Sequence, residues 1–184
     1  MSKHYQKMTF ITMLAAQAIV ISVMERAIPS PFTFAPGAKL GLGNLVTIIA
    51  IFTLPPRDNM KVIGLRLFVS TFLSGTFSTF LYSLSGTVFS YLVMTTMKLL
   101  GSKRVSIIGI STLGGIMHNM GQLLVFAFIA QSWMVLNYLP ILAFSGILSG
   151  FLVGVTGNYL LKKIQVLHVY HKEMLTDWGV NDDG

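Results

Sequence analysis

A chain of 184 residues with 53% hydrophobic residues, 10% charged residues and a mean hydropathy of +0.72 has too little polar surface to cover a soluble domain of its size. Its expected solvent is a lipid bilayer. The net charge of +7 does not indicate nucleic acid, because the basic residues sit at the ends of apolar runs and not along one face with interleaved aromatics, and the absence of cysteine excludes a disulfide framework, a thiol nucleophile and a thiolate metal site.

Lys3 and Lys7 precede the first apolar run, about Met8 to Met24. Glu25-Arg26 and then Pro29, Pro31 and Pro36 follow it where a small-residue cleavage site would stand, so the run reads as a retained helix. Ala15, Ala18 and Ser22 give it a small-residue surface, suited to packing within the bundle or to docking a second membrane subunit. Residues 25 to 39 are rich in proline and glycine and read as a structured cap over the bundle. Lys39 then opens Lys39-Leu40-Gly41-Leu42-Gly43-Asn44, where two glycines let the backbone approach a ligand and the ammonium can face an anion. The spacing matches no nucleotide-binding fingerprint.

The second span is expected at about Leu40 to Leu54, and the third at about Val62 to Phe80 after Arg57 and Lys61. Arg66 lies inside the third, where a central charge costs ~2.5 to 3.5 kcal/mol on insertion scales, so it must snorkel or face the bundle interior. Ser70 and Ser74 follow on the same helical face. A Ser/Gly-rich stretch, Ser78 to Gly86, is read as the hairpin leading into a fourth span at about Gly86 to Leu100. Lys98, Lys103 and Arg104 end that span.

The fifth span, about Val105 to Ala130, places Ser111, Gly115, His118 and Gln122 at i, i+4, i+7 and i+11, with Asn119 adjacent. This hydrogen-bonding face is expected to meet a ligand; a metal is not expected, since no second histidine or carboxylate stands at ligand spacing. The sixth span, about Tyr138 to Ile164, carries Gly146, Gly150 and Gly154 in steps of four, a stripe for close helix packing. Lys162 and Lys163 close it. If every basic cluster is cytoplasmic, the spans come in pairs and both termini are cytoplasmic. The expected fold is therefore an all-α integral membrane protein, with one six-helix transmembrane domain over residues 1–164 and a short cytoplasmic tail over 165–184, in which His168 to Gly184 read as a short helix that frays. No carboxylate pair lies in the body of the chain, so neither magnesium-diphosphate chemistry nor other catalysis is expected.

Several of these stretches, Lys39-Leu40-Gly41-Leu42-Gly43-Asn44, Arg66, Tyr82-Ser83-Leu84-Ser85-Gly86, His118-Asn119-Met120-Gly121-Gln122, Tyr138-Leu139-Pro140 and Ser145 to Gly150, together resemble the small bacterial membrane proteins called Gx transporters, often labelled heptaprenyl diphosphate synthase component I. That family is similar in size and helix count to the substrate-binding S-components of energy-coupling factor transporters. The resemblance implies an S-component-like bundle that captures a vitamin-like solute and topples within a complex of a transmembrane scaffold subunit and two ATPases. S-components commonly dock through alanines four apart in the first helix; here Ala15, Ala18 and Ser22 stand in their place. The implied solute is anionic and related to a cofactor: a flavin nucleotide, an isoprenoid diphosphate or a quinone precursor. Lys39, Asn44, Arg66, His118, Asn119 and Gln122 are the candidate binding residues. The alternative is a non-catalytic membrane accessory subunit of a polyprenyl diphosphate synthase.

Overall fold

The computed structural model describes residues 3–27, 41–74 and 76–175. They form α1 (Lys3–Ala27), α2 (Asn44–Thr53), α3 (Pro56–Ser74), α4 (Phe77–Lys98), α5 (Ile107–Ile129), a 3-10 turn (Trp133–Tyr138), α6 (Leu139–Lys163) and α7 (Gln165–Leu175). Among the described residues there is no strand. Four segments are long and apolar enough to cross a membrane: Tyr5–Glu25, Phe77–Lys98, Ile107–Ile129 and Trp133–Lys163.

Side chains are arranged inside out relative to a soluble bundle. On α6, Gly146, Ser149, Gly150, Gly154 and Gly157 are buried, while Ile141, Phe144, Leu148, Leu152 and Tyr159 are exposed. On α3, Arg66 and Ser70 are buried while Phe68 and Phe72 are exposed. Small and polar groups inside with bulky apolar groups outside is the pattern that lipid favours, since packing and hydrogen bonds, not apolar burial, hold such helices together. α5 packs along α4 on one side and α6 on the other, and α1 runs beside α3.

α2 departs from the expected span. At ten residues it is about 15 Å long, half a bilayer core. Nine of its residues, all but Leu45, are buried, and it touches every other α-helix of the bundle. It stops because Leu54 precedes Pro55 and is extended (φ −130°, ψ 150°), as the residue before a proline prefers. Its C-terminal end is satisfied from distant elements. Lys98 Nζ donates to the Ile51 carbonyl at 2.7 Å and His171 Nδ1 lies 3.1 Å from the Phe52 carbonyl, cationic and polar donors where a helix carries negative partial charge.

These contacts gather one pole of the bundle. Lys7 and Lys61 pair with Asp58 at 2.6 and 2.7 Å, and the Phe10 and Tyr170 rings stack at 4.3 Å. The starts of α1 and α3, the ends of α2 and α4, and α7 therefore meet where the basic clusters lie, so consecutive helices from α1 to α4 alternate in direction.

Two expectations are corrected. The hairpin is not at Ser78 to Gly86: α4 begins at Phe77, with the Thr76 hydroxyl accepting from Thr79 N at 3.2 Å as its cap, and residues 81 to 86 are helical. Ser83, Gly86, Thr87 and Ser90 are buried on one face of α4, so the small residues are a packing surface and not a turn. The short helix expected in the tail is present but does not hang free: residues 165–175 form α7, which rests on α2 and α6 with Leu167 and His171 buried. The expected cap over residues 28–39 and Lys39 lie outside the described residues.

α7 supplies a pH prediction. Burial holds the His171 imidazole below its ordinary value of 6.5, outweighing the Phe52 carbonyl bond, and His168, Lys98 and Lys162 add to the depression. A depressed histidine contributes stability that is complete above its unfolded pKa and lost as pH falls. The protection factors of the α7 amides, exchange rates divided into the intrinsic rates at each pH, should therefore fall as pH drops below about 6.5, and His171→Phe should remove that pH dependence. Asp58 is held below 3.8 by its bonds to Lys61 and Lys7, so its loss belongs to much lower pH and does not overlap.

Candidate functional site

At the pole opposite the basic clusters, a cleft opens between α1, α3, α4, α5 and the turn before α2. Its lining is Ser22, Glu25, Gly41, Gly43, Arg66, Leu67, Ser70, Ser83, Thr87 and His118, around a small void that is partly open.

The turn Gly41-Leu42-Gly43 forms the cleft's roof. Gly41 has φ +89°, a left-handed conformation that glycine adopts without strain, and a Cβ there would meet the His118 ring at 3.0 Å. A Cβ on Gly43 would lie 2.5 Å from Arg66 Nη1 and 3.2 Å from Ser22 Oγ. The two glycines thus let the backbone sit directly on the arginine and the histidine. Glu25 Oε1 accepts from Gly41 N at 2.5 Å and from Leu42 N at 2.9 Å, placing a carboxylate at the positive end of α2.

Arg66 is 5% exposed, and its Nη2 donates to Thr87 Oγ1 at 2.7 Å. A guanidinium carries five N–H donors. Among the described residues no carboxylate lies within ion-pair distance of Arg66. The Ser83 hydroxyl is buried without a hydrogen-bond partner. The cleft is therefore rich in donors and poor in acceptors, with Glu25 the single anionic side chain in its lining.

The fifth-span constellation divides between two neighbours. His118 lines the cleft, and its Nε2 lies 2.5 Å from Gln122 Nε2. The ring packs against α4, where a Cβ on Gly86 would meet it at 2.8 Å. Asn119 turns the other way, its Nδ2 donating to the Leu142 carbonyl at 2.9 Å, so it ties α5 to α6. Asn44, Asn119 and Gln122 do not line the cleft; Asn44 is the buried first residue of α2, its backbone N donating to Gly41 O at 2.9 Å. Of the six candidate binding residues, the structure brings Arg66 and His118 together, with Gln122 behind the histidine. Ala15, Ala18 and Ser22 point inward: Ala15 and Ala18 belong to the hydrophobic core and Ser22 to the cleft, so intramolecular packing already fills the face considered for docking.

The sequence reading did not assign Ser83 and Thr87 to the site. Their spacing with Ser90, i, i+4 and i+7, is the helical signal that would have shown one polar face of α4.

No curated protein and no solved structure matches the chain. One protein family does, heptaprenyl diphosphate synthase component I, over residues 14–160. That range holds every described residue of the cleft and excludes α7. With most of its length matched, cleft included, the chain belongs to the heptaprenyl diphosphate synthase component I family.

Proposed function

We propose that this chain is a membrane-embedded, solute-binding subunit that captures an anionic, partly apolar or aromatic compound in the Arg66–His118 cleft. The observation that carries the reading is Arg66: a buried guanidinium facing a cleft, with one bond to Thr87 and further donors available. A buried charge is expensive unless a counter-charge completes it; Glu25 shares the cleft but stays beyond ion-pair distance, so an anionic solute that bonds the guanidinium directly is the natural complement. Flavin nucleotides, isoprenoid diphosphates and aromatic quinone precursors share that chemistry.

In this reading the protein is not itself an enzyme. It works as an S-component-like subunit with a transmembrane scaffold and two ATPases, in the bacterial cell membrane. An even number of crossings puts both termini and the basic pole in the cytoplasm, as the positive-inside rule favours, and the cleft then faces outward. Lys39, at the entrance to the Gly41-Leu42-Gly43 roof in sequence, belongs to the same proposed anion path.

A second reading is favoured by the family's own description: an accessory subunit that holds a soluble polyprenyl diphosphate synthase at the membrane. Co-purification separates the two. The transport reading expects a scaffold and ATPases, the accessory reading a soluble synthase.

The direct test is thermal shift of the purified protein with flavin mononucleotide, farnesyl diphosphate and an aromatic carboxylate. A ligand at 100 times its Kd adds about 2.7 kcal/mol of stability. His118→Leu should lose the ligand-dependent shift while the unliganded melting temperature stays near that of wild type, since leucine suits a bilayer-depth helix. If His118 is only interhelical glue, the mutant should instead melt lower, by ~1 kcal/mol or so, and keep its ligand response.

A further inference from the structure

We propose that Glu25 is a built-in occupant of an oxyanion subsite, and that a phosphate-type group of the solute binds by displacing it. The inference rests on the anion-binding reading above and adds the groups that hold the anion.

Three observations converge on one place. Glu25 Oε1 sits on the Gly41 and Leu42 amides, 2.5 and 2.9 Å away, just before the first turn of α2. Amides and dipole at a helix start together make an anion site, and here a carboxylate of the chain fills it. Arg66 lies against the same turn, within 2.5 Å of where a Cβ on Gly43 would be, and spends one bond on Thr87. Ser83, 5% exposed and without a partner, lines the same cleft, so a buried hydroxyl there has nothing to bond in the present arrangement.

The cleft holds more donors than this carboxylate uses. Glu25 takes the two amides, while the Arg66 guanidinium, beyond ion-pair distance of it, and the unpartnered Ser83 hydroxyl line the same cleft. A phosphate brings three acceptor oxygens and up to two charges, and guanidinium forks match its geometry in pairs of bonds. A phosphate-type anion can thus satisfy the groups Glu25 leaves over, while a singly charged carboxylate would only replace one occupant with its equal. Glu25 keeps the empty site neutralised, and because the void beside it is small, its departure is what makes room for the anion.

The test uses inorganic pyrophosphate as the probe, titrated calorimetrically into the full-length protein in nanodiscs, with acetate as the carboxylate control. Glu25→Gln keeps an acceptor for the two amides and removes the competing charge. It should bind pyrophosphate at least about tenfold more tightly than wild type, the gain expected when an occupant filling roughly nine sites in ten is removed. Acetate should bind weakly to both. Equal or weaker binding by Glu25→Gln, with wild-type binding abolished in Arg66→Leu, would make Glu25 a plain helix cap and leave the anion-binding reading standing. No pyrophosphate binding by either protein would overturn both. Should Glu25→Gln fail to fold, infrared difference spectra of wild type decide: pyrophosphate should shift a carboxylate band, and an unshifted band at saturation would overturn the proposal.

Discussion

Gly150→Val is expected to be among the most damaging single substitutions in the bundle. A Cβ at Gly150 would lie 2.7 Å from the Ser111 carbonyl oxygen and 2.8 Å from Thr112 Cα, and one at Gly146 would lie 2.8 Å from Ile116 Cα. These obstacles are backbone, so no rotamer change relieves them and α5 and α6 must separate. Separation also strains the Asn119–Leu142 bond that ties the two helices. Overpacking of side chains costs about 1 to 3 kcal/mol, and forcing two backbones apart should reach the upper end or exceed it. The expected result is a large fall in melting temperature and in the yield of folded protein. Gly64 is the internal control: a Cβ there meets nothing within 4 Å, so Gly64→Ala should be neutral or stabilising by up to ~1 kcal/mol. Similar melting temperatures for the two variants would mean that α5 and α6 are not in backbone contact.

The contrast between these two glycines shows which parts of the sequence were legible. The stripe at Gly146, Gly150 and Gly154 repeats every four residues, and only a helix–helix seam uses that period, so the reading from spacing and the structure agree. The stretch from Ser78 to Gly86 has the same composition without so plain a period, and composition alone serves a turn and a buried small-residue face equally well. Ser83, Thr87 and Ser90 fix it as a face only once the helix is assumed to continue. α2 misled by its apolarity. A ten-residue run that is hydrophobic all round is equally consistent with a short span and with a buried core helix, and its length of about 15 Å favours the second. α7 was expected as a short helix, but its docking was not legible, because its apolar contacts, Leu167 and Tyr170, and its histidine find partners far away in sequence, such as Phe10 and Phe52.

The site was legible in its charges and not in its partners. Arg66 and His118 stood out because ionisable groups at membrane depth need a reason to be there, and they line one cleft. Adjacent residues on a helix are about 100° apart, so His118 and Asn119 reach different neighbours even though a run of polar letters reads as one surface. Glu25 was visible as an out-of-place charge, yet its partners are two backbone amides, which no side-chain pattern announces.

Arg66→Leu carries the largest expected effect on function. Leucine removes the cost of a charge inside the bundle and fits an apolar helix, so the variant should fold and melt no lower than wild type once the loss of the Thr87 bond is offset. Thr87→Val isolates that bond: it removes the acceptor, leaves the guanidinium, and should cost about 1 kcal/mol of stability with ligand affinity changed only slightly. Binding should respond in the opposite order. Losing a buried charge-assisted contact to an anion costs about 2 to 5 kcal/mol, which at the midpoint is a fall in affinity of several hundredfold. Arg66→Lys keeps the charge but not the fork, and should recover only part of that loss. Measured on the same preparations with whichever anionic ligand stabilises wild type, Arg66→Leu should therefore be stable and silent, and Thr87→Val weakened and responsive. If Arg66 is only a brace between α3 and α4, both variants melt lower and both keep wild-type affinity. That outcome would take the guanidinium out of the site, and with it the observation on which the solute-binding reading rests.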